Sequence, residues 1–168
     1  MTEPSVPPEH RAEVLKERIY ITFTALAVVL ALSSHAEDLH AGGAARTLLI
    51  AVVGTLLAVF VADLVAHITV HASLPDRAEL GHMVSVSTRA LGVVVAPMIF
   101  LGLAGLGVWE VRGALRVATI TLIVSLVVIG YLAARRVRLP VRQRLIVLFA
   151  EFGLGLAVVG LELLAHGA

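Results

Sequence analysis

The stretch TLLIAVVGTLLAVFVADLVAHITVH, from Thr47 to His71, decides the fold of this chain. Its only Asp, Glu, Lys or Arg residue is Asp63. A helix needs about 20 apolar residues to cross a hydrocarbon core of about 30 Å, and this stretch is longer than that. A backbone in lipid has to satisfy its own hydrogen bonds, so we predict a transmembrane α-helix here.

Four further apolar stretches of similar character flank this segment on both sides. Together they predict an all-α, polytopic membrane protein with a bundle of about five transmembrane helices. A polar segment, residues 1–18, precedes a single bundle over residues 19–168. The predicted spans are 19–36, 47–71, 90–109, 117–134 and 145–165. Pro97 should kink the third span because it removes one backbone donor.

The composition agrees with a membrane protein. Hydrophobic residues make up 59% of the chain, charged residues 15%, and the sequence contains no cysteine; the mean hydropathy is +0.98. Soluble domains carry about 25% charged residues, so the outer surface here must itself be apolar. The net charge of +1 and the lack of any basic run interleaved with aromatics exclude nucleic acid as an expected partner.

The positive charges predict an orientation. Ten Lys and Arg residues fall on the side of the N-terminus if the chain crosses five times, and three fall on the other side, namely Arg46, Arg112 and Arg116. Because cytoplasmic loops carry the excess of Lys and Arg, we expect the N-terminus in the cytoplasm and a multi-pass protein of the cell (inner) membrane.

Ionisable residues inside the spans are the main functional signal. Asp63, His67 and His71 follow one another at i, i+4 and i+8, which places them along one helix face. Each charge at depth costs about 2.5–3.5 kcal/mol, so such residues usually face protein or water. The rise per residue brings Arg89 and Glu151 to a similar depth, so the five side chains are expected to form one buried polar cluster. In that cluster Arg89 would compensate Asp63 or Glu151.

This cluster has three interpretations. Carboxylates and imidazoles in a line suit proton relay or cation passage, since histidine titrates near neutral pH. An Asp–Arg pair could instead lock two helices together. A pocket for a small ligand is the third interpretation.

A second polar group is expected on the outer side. It could hold a divalent metal ion, because imidazoles and carboxylates are ligands of Zn²⁺ and similar ions. A solvated loop explains the same residues equally well. Its members are His35, Glu37, Asp38, His40, Glu162 and His166.

Other cofactors and catalysis have little support. Axial haem ligation needs histidines on facing helices, whereas His67 and His71 share one helix, so haem is not expected. The chain has no phosphate-binding glycine loop, nucleophile elbow or zinc-protease motif, so we do not expect an enzyme.

Two runs carry a resemblance to a known group of proteins. The run ERIY, from Glu17 to Tyr20, and the run VFVADLVAH, from Val59 to His67, resemble segments of uncharacterised small polytopic membrane proteins of high-GC bacteria. This resemblance implies a membrane fold and no particular activity. A family of bacterial potassium channels has an arginine followed by a Phe-Ser-Asp motif in the first span. Here Arg18 is followed by Phe23-Thr24-Ala25, so that family is not adopted.

Two functions from different classes follow from the sequence. The first is a small, oligomeric channel or transporter for protons or another cation that uses the buried cluster. The second is a non-catalytic accessory or assembly subunit of a larger membrane complex, in which the charges fix helix packing. Both would have the lipid bilayer as a partner, together with further copies or other subunits.

Overall fold

The computed structural model describes residues 8–136 and, beyond them, residues 142, 145, 146, 149, 153, 156, 157 and 160. The chain is all-α, as the sequence predicts. The continuous part consists of α1 (Pro8–Ser34), α2 (Ala41–His71), α3 (Arg77–Ala90), a short 3-10 helix (Leu91–Val93), α4 (Val95–Gly105) and α5 (Val111–Arg136). The predicted fifth span and Glu151 lie outside the described residues.

Helix α1 packs against more of the other long helices than α4 does. It packs against α2, α3 and α5, while α4 packs against α2 and α5. The core consists of fully buried side chains on the facing helix surfaces, including Ile21, Val29, Leu48, Leu101 and Leu122. Buried alanines lie between these larger side chains and allow the helices to approach closely.

Within the described residues, two helices are long and apolar enough to cross a membrane: α2, over Ala41–His71, and α5, over Val111–Leu132. Helix α2 contains the predicted span 47–71, and α5 over its full length, Val111–Arg136, contains the predicted span 117–134. The bent pair of α3 and α4 adds a third crossing if it is counted as one span. The first predicted span belongs to α1, whose uncharged part begins at residue 19. The helix itself starts earlier, at Pro8, so residues 8–18 are a continuation of it.

The third predicted span is broken, as expected from Pro97. The axes of the helical segments before and after Val94 differ by 48°. Pro97 lies in the first turn of α4, where its missing N–H and its ring exclude a regular helix continuing from Val93. The break leaves α3 as a separate helix that is more polar than α4, with its own N-terminal cap.

Helix α2 is longer than a bilayer requires. Its 31 residues span about 46 Å, which exceeds the hydrocarbon core by about 16 Å. Asp63 lies within about 12 Å of the C-terminal end of α2. The excess length is therefore greater than the distance from Asp63 to the C-terminal end of α2.

Candidate functional site

The turn between α2 and α3 builds one end of the candidate site. Helix α2 ends because Ala72 adopts a left-handed conformation, with φ of 52°, and its N–H donates to Ile68 O. Helix α3 then begins with a capping box in which Asp76 accepts a hydrogen bond from Glu79 N and Glu79 accepts one from Asp76 N, both at 2.8 Å. This short turn brings the start of α3 beside the last turns of α2.

A cleft of about 600 Å³ opens where the N-terminal part of α1, the end of α2 and the start of α3 meet. We call it the acidic cleft, because its polar wall holds four carboxyl groups and three imidazoles. The remaining wall is apolar. The polar residues are Glu13, Glu17, Asp63, His67, His71, Glu79 and His82, and the apolar ones are Ala66, Val70, Ala78, Met83 and Val86.

Asp63 is paired with a cation on α1. Lys16 Nζ donates to Asp63 Oδ1 at 3.0 Å, and the side chains are 45% and 32% exposed. Burial alone would lower the pKa of Lys16, but the hydrogen bond and the negative charge of Asp63 outweigh it and raise that pKa. Because the pair is partly solvated, it contributes little to stability.

Two imidazoles of the cleft lie close to carboxylates on neighbouring helices. His67 Nε2 lies 3.6 Å from Glu79 Oε2, so α2 and α3 meet there. His82 Nε2 lies 3.4 Å from Glu13 Oε2, which joins α3 to α1. The rings of His67 and His71 are in contact, with centroids 4.5 Å apart. These two contacts place α1 and α2 against α3.

Glu17 is the one buried acid of the cleft. Its residue is 2% exposed, and Ser87 Oγ donates to its Oε1 at 3.3 Å. Its Oε2 is buried and has no hydrogen-bond partner within the described part of the chain. Burial raises the pKa of Glu17, and the hydrogen bond from Ser87 offsets only part of that effect.

The predicted cluster is therefore assembled in part. Asp63, His67 and His71 do share one cleft, as their spacing predicts. Arg89 is exposed and is absent from the cleft wall; the cation that compensates Asp63 is Lys16. Of the two acids predicted as partners of Arg89, Asp63 is paired with Lys16 of α1 instead, and α3 presents its Glu79 and His82 to the cleft. The proposed contact with Glu151 falls outside the described residues.

Three members of the predicted outer group, His35, Glu37 and Asp38, line a second cleft. This cleft of about 390 Å³ is formed by the loop from Ser33 to Asp38 and by Arg112 and Arg116 of α5. Arg112 donates to Glu37 in a short ion pair. The outer cleft is therefore mixed in charge, unlike the acidic cleft.

The outer residues do not assemble a metal site in the described chain. His35 lies next to Ser34 Oγ and Ala31 O, whereas His40 precedes the first turn of α2 without capping it by its side chain. Among the residues that the structure describes, no three His, Asp or Glu side chains meet in an arrangement that could hold a metal ion. Glu162 and His166 lie beyond them, so their predicted part in a metal site stays a prediction.

The two clefts are separated by the apolar core. Along α1, Glu17 and Ser33 are about 24 Å apart, and the buried side chains Ile21, Ala25 and Val29 fill the space between. A polar contact inside this layer joins Thr55 Oγ1 of α2 to Thr24 Oγ1 of α1 at 3.3 Å. In the described residues the bundle is thus closed between two polar ends.

Two cleft residues, Glu13 and Glu17, and the partner of Asp63, Lys16, belong to the segment 1–18, which the hydropathy pattern places outside the bundle. Glu13 and Glu17 are four residues apart, Lys16 lies beside them, and the surrounding residues are good helix formers. That pattern could have predicted an acidic face on a helix continuous with the first span. Glu79 and His82 share the spacing i, i+3 and a capping signature at Asp76, which could have marked α3 in the same way.

Comparisons of the chain with protein-family models, curated proteins and solved structures give no match. The function therefore has to be inferred from the fold and from the chemistry of the two clefts.

Proposed function

We propose that the protein is a small multi-pass protein of the cytoplasmic membrane that transports protons or another cation. The acidic cleft serves as its cytoplasmic cation site. The observation that carries this proposal is the convergence of four carboxyl groups and three imidazoles from three helices in one cleft, with one of the acids buried.

The surface of the helices supports the membrane part of the proposal. Large apolar side chains project from α2 over most of its length, and Ile50, Leu57 and Val61 are each more than half exposed. Helix α5 exposes Ile120 and Val124 in the same way. Water would make such faces aggregate, whereas lipid tails solvate them. The excess of Lys and Arg on the side of the N-terminus favours a cytoplasmic acidic cleft.

The electrostatics of the cleft support the choice of a cation. The side chains of Asp63, Glu13 and Glu79 are partly exposed, and the ammonium group of Lys16 faces Asp63. Negative side chains around an opening raise the local concentration of cations. Closure of the core between the clefts favours a transporter that changes conformation over a permanently open channel.

Flux through reconstituted protein tests the proposal. Liposomes loaded with a pH-sensitive dye and an inward-negative potassium diffusion potential should acidify faster with the protein than without it. Asp63→Asn removes the anchoring charge of the cleft, and we expect it to reduce this flux at least about tenfold. Glu110→Gln, an exposed acid at the other end of the bundle, is the matched control and should leave the flux unchanged.

Two results would contradict proton transport: Asp63→Asn liposomes that acidify at the wild-type rate, or wild-type liposomes that acidify no faster than empty ones. The second result would favour the accessory-subunit function. That function is compatible with the closed core, since a closed bundle with broad apolar faces could pack against another membrane protein. Purification in mild detergent followed by mass analysis would then reveal the partner.

A further inference from the structure

We propose that the acidic cleft binds a small organic ammonium ion with an apolar tail, which replaces the proton on the buried carboxyl group of Glu17. This inference rests on the proposed function in so far as the cleft is taken as the cation site, and it specifies the class of cation. A cluster of carboxylates does not by itself indicate a ligand. Glu17 does indicate one, because it is buried in the cleft wall and one of its oxygens has no hydrogen-bond partner in the described part of the chain.

Within the described residues, one carboxyl oxygen of Glu17 has no hydrogen-bond donor. Ser87 supplies one hydrogen bond to Oε1, and Oε2 receives none from the described residues. An uncompensated buried carboxylate is costly, so the group holds a proton or takes a cationic donor. Burial raises the pKa of Glu17 and so favours the protonated form over the carboxylate. An ammonium ion that enters the cleft supplies both the charge and the missing donor.

Lys16 demonstrates how an alkylammonium group fits this end of the bundle. Its Nζ lies 3.0 Å from Asp63 Oδ1, which is the length of an ordinary charge-assisted hydrogen bond. Lys16 and Asp63 are partly exposed, so the contact can open and close at low cost. A free ammonium ion can make the same contact with a carboxylate.

The rest of the cleft favours an organic over an inorganic ion. Val70, Met83 and Val86 line the cleft together with the acids, and such apolar side chains stabilise a hydrocarbon tail but do nothing for a bare ion. The volume of about 600 Å³ lies within the range of small-molecule sites, about 300–1,000 Å³. No metal-binding group of three ligands is present among the described residues, which argues against a coordinated metal ion.

The exchange is balanced in atoms and charge. The neutral carboxylic acid of Glu17 and the ammonium ion give a carboxylate–ammonium pair and one free proton. One oxygen cannot hold the proton and the ammonium group together, so each ligand that binds at Glu17 releases one proton. The other titratable and charged groups that face the cleft are Glu13 and Lys16 on α1, Asp63, His67 and His71 on α2, and Glu79 and His82 on α3.

Calorimetric titration with n-hexylammonium tests the inference. The purified protein in detergent is titrated in two buffers that differ in ionisation enthalpy, which counts the protons released. Injection of 1-hexanol and of hexylammonium into empty micelles corrects for partitioning of the tail. We expect about one proton released per ligand while Glu17 is protonated, and an affinity that rises up to about tenfold per pH unit over that range. No site-specific heat is expected from 1-hexanol.

Glu17→Gln should weaken hexylammonium binding at least about tenfold and abolish proton release, whereas Glu110→Gln should bind as wild type does. Wild-type protein that binds no hexylammonium, or binds it without proton release, would overturn the inference. So would unchanged binding by Glu17→Gln. If Glu17→Gln does not fold, the proton count of the wild type decides. If the protein carries proton flux in liposomes but does not bind hexylammonium, only this inference is contradicted. If it binds hexylammonium but carries no proton flux, only proton transport is contradicted.

Discussion

Two acids of the cleft differ because of their surroundings. Asp63 reaches solvent and has Lys16 as its partner, so its charge is compensated in two ways. Glu17 is buried, and its Oε2 has no partner in the described chain. A carboxylate in the second situation is destabilised relative to the acid form. Glu17 should therefore couple the stability of the fold to pH.

The sign of this coupling follows from the raised pKa of Glu17. In the unfolded chain the group titrates near its ordinary value of 4.5. The stability is complete below that pH and is lost as pH rises through the higher pKa of the folded state, with a slope of at most about 1.4 kcal/mol per pH unit. Glu17→Gln should flatten this part of the profile. Thermal unfolding in detergent between pH 4 and 8 measures this dependence of stability on pH. Identical stability profiles for wild type and Glu17→Gln would contradict a buried, titrating Glu17.

The sequence predicts the cleft residues of α2 and misses those of α1. The sequence predicts the shared face of Asp63, His67 and His71 because helical spacing of polar residues within an apolar run is a local signal. Lys16 and Glu17 become cleft residues only through the packing of α1 against its neighbours, which a local pattern does not contain. The choice of Lys16 over Arg89 as the partner of Asp63 depends on that same packing.

At the scale of elements, α3 is a polar helix that contacts α2 through Glu79 and α1 through Ser87. Its first turn is stabilised by the Asp76–Glu79 capping box. Glu79 also faces His67, and Ser87 binds Glu17. The cap therefore positions both an acid of the cleft and the donor to the buried carboxyl group. Loosening the cap should loosen that side of the cleft.

Asp76→Ala tests this role of the cap. Losing an N-cap acceptor costs about 1 kcal/mol, so amide hydrogen exchange in the first turn of α3 should accelerate about fivefold. Glu79→Gln retains the capping geometry, because glutamine also serves at the third helical position, and it should change this exchange much less. Equal exchange in wild type and Asp76→Ala would show that packing, and not the cap, holds the start of α3.

The sequence predicts which segments are helical better than it predicts where each helix begins and ends. The apolar runs predict α2 and α5, and Pro97 predicts the break of the third span. The start of α1 at Pro8 and the polar helix α3 depend on helix formers and caps, whose signals are weaker than hydropathy. Helix α2 begins at Ala41, before the predicted Thr47, since Gly42, Gly43 and Arg46 lower hydropathy without breaking a helix that is packed.

At the scale of the whole molecule, the bundle has two polar ends of different charge and apolar flanks. The acidic cleft lies at one end and the mixed-charge outer cleft at the other. The buried core between them includes Leu26 and Val29 of α1. This arrangement suits a protein that crosses a membrane and presents each cleft to a different aqueous side.

Labelling of single cysteines from the two sides tests that central claim most directly. The chain has no cysteine, so Ser73→Cys, beside the acidic cleft, and Asp38→Cys, at the outer cleft, each introduce the only thiol. Both positions are exposed, and both should react with a maleimide in denatured protein. In spheroplasts a membrane-impermeant maleimide should label Asp38→Cys, and should label Ser73→Cys only after permeabilisation. Labelling of both positions from the same side would mean that the helices between them do not place the two clefts on opposite sides of a membrane, which would contradict the proposed transport.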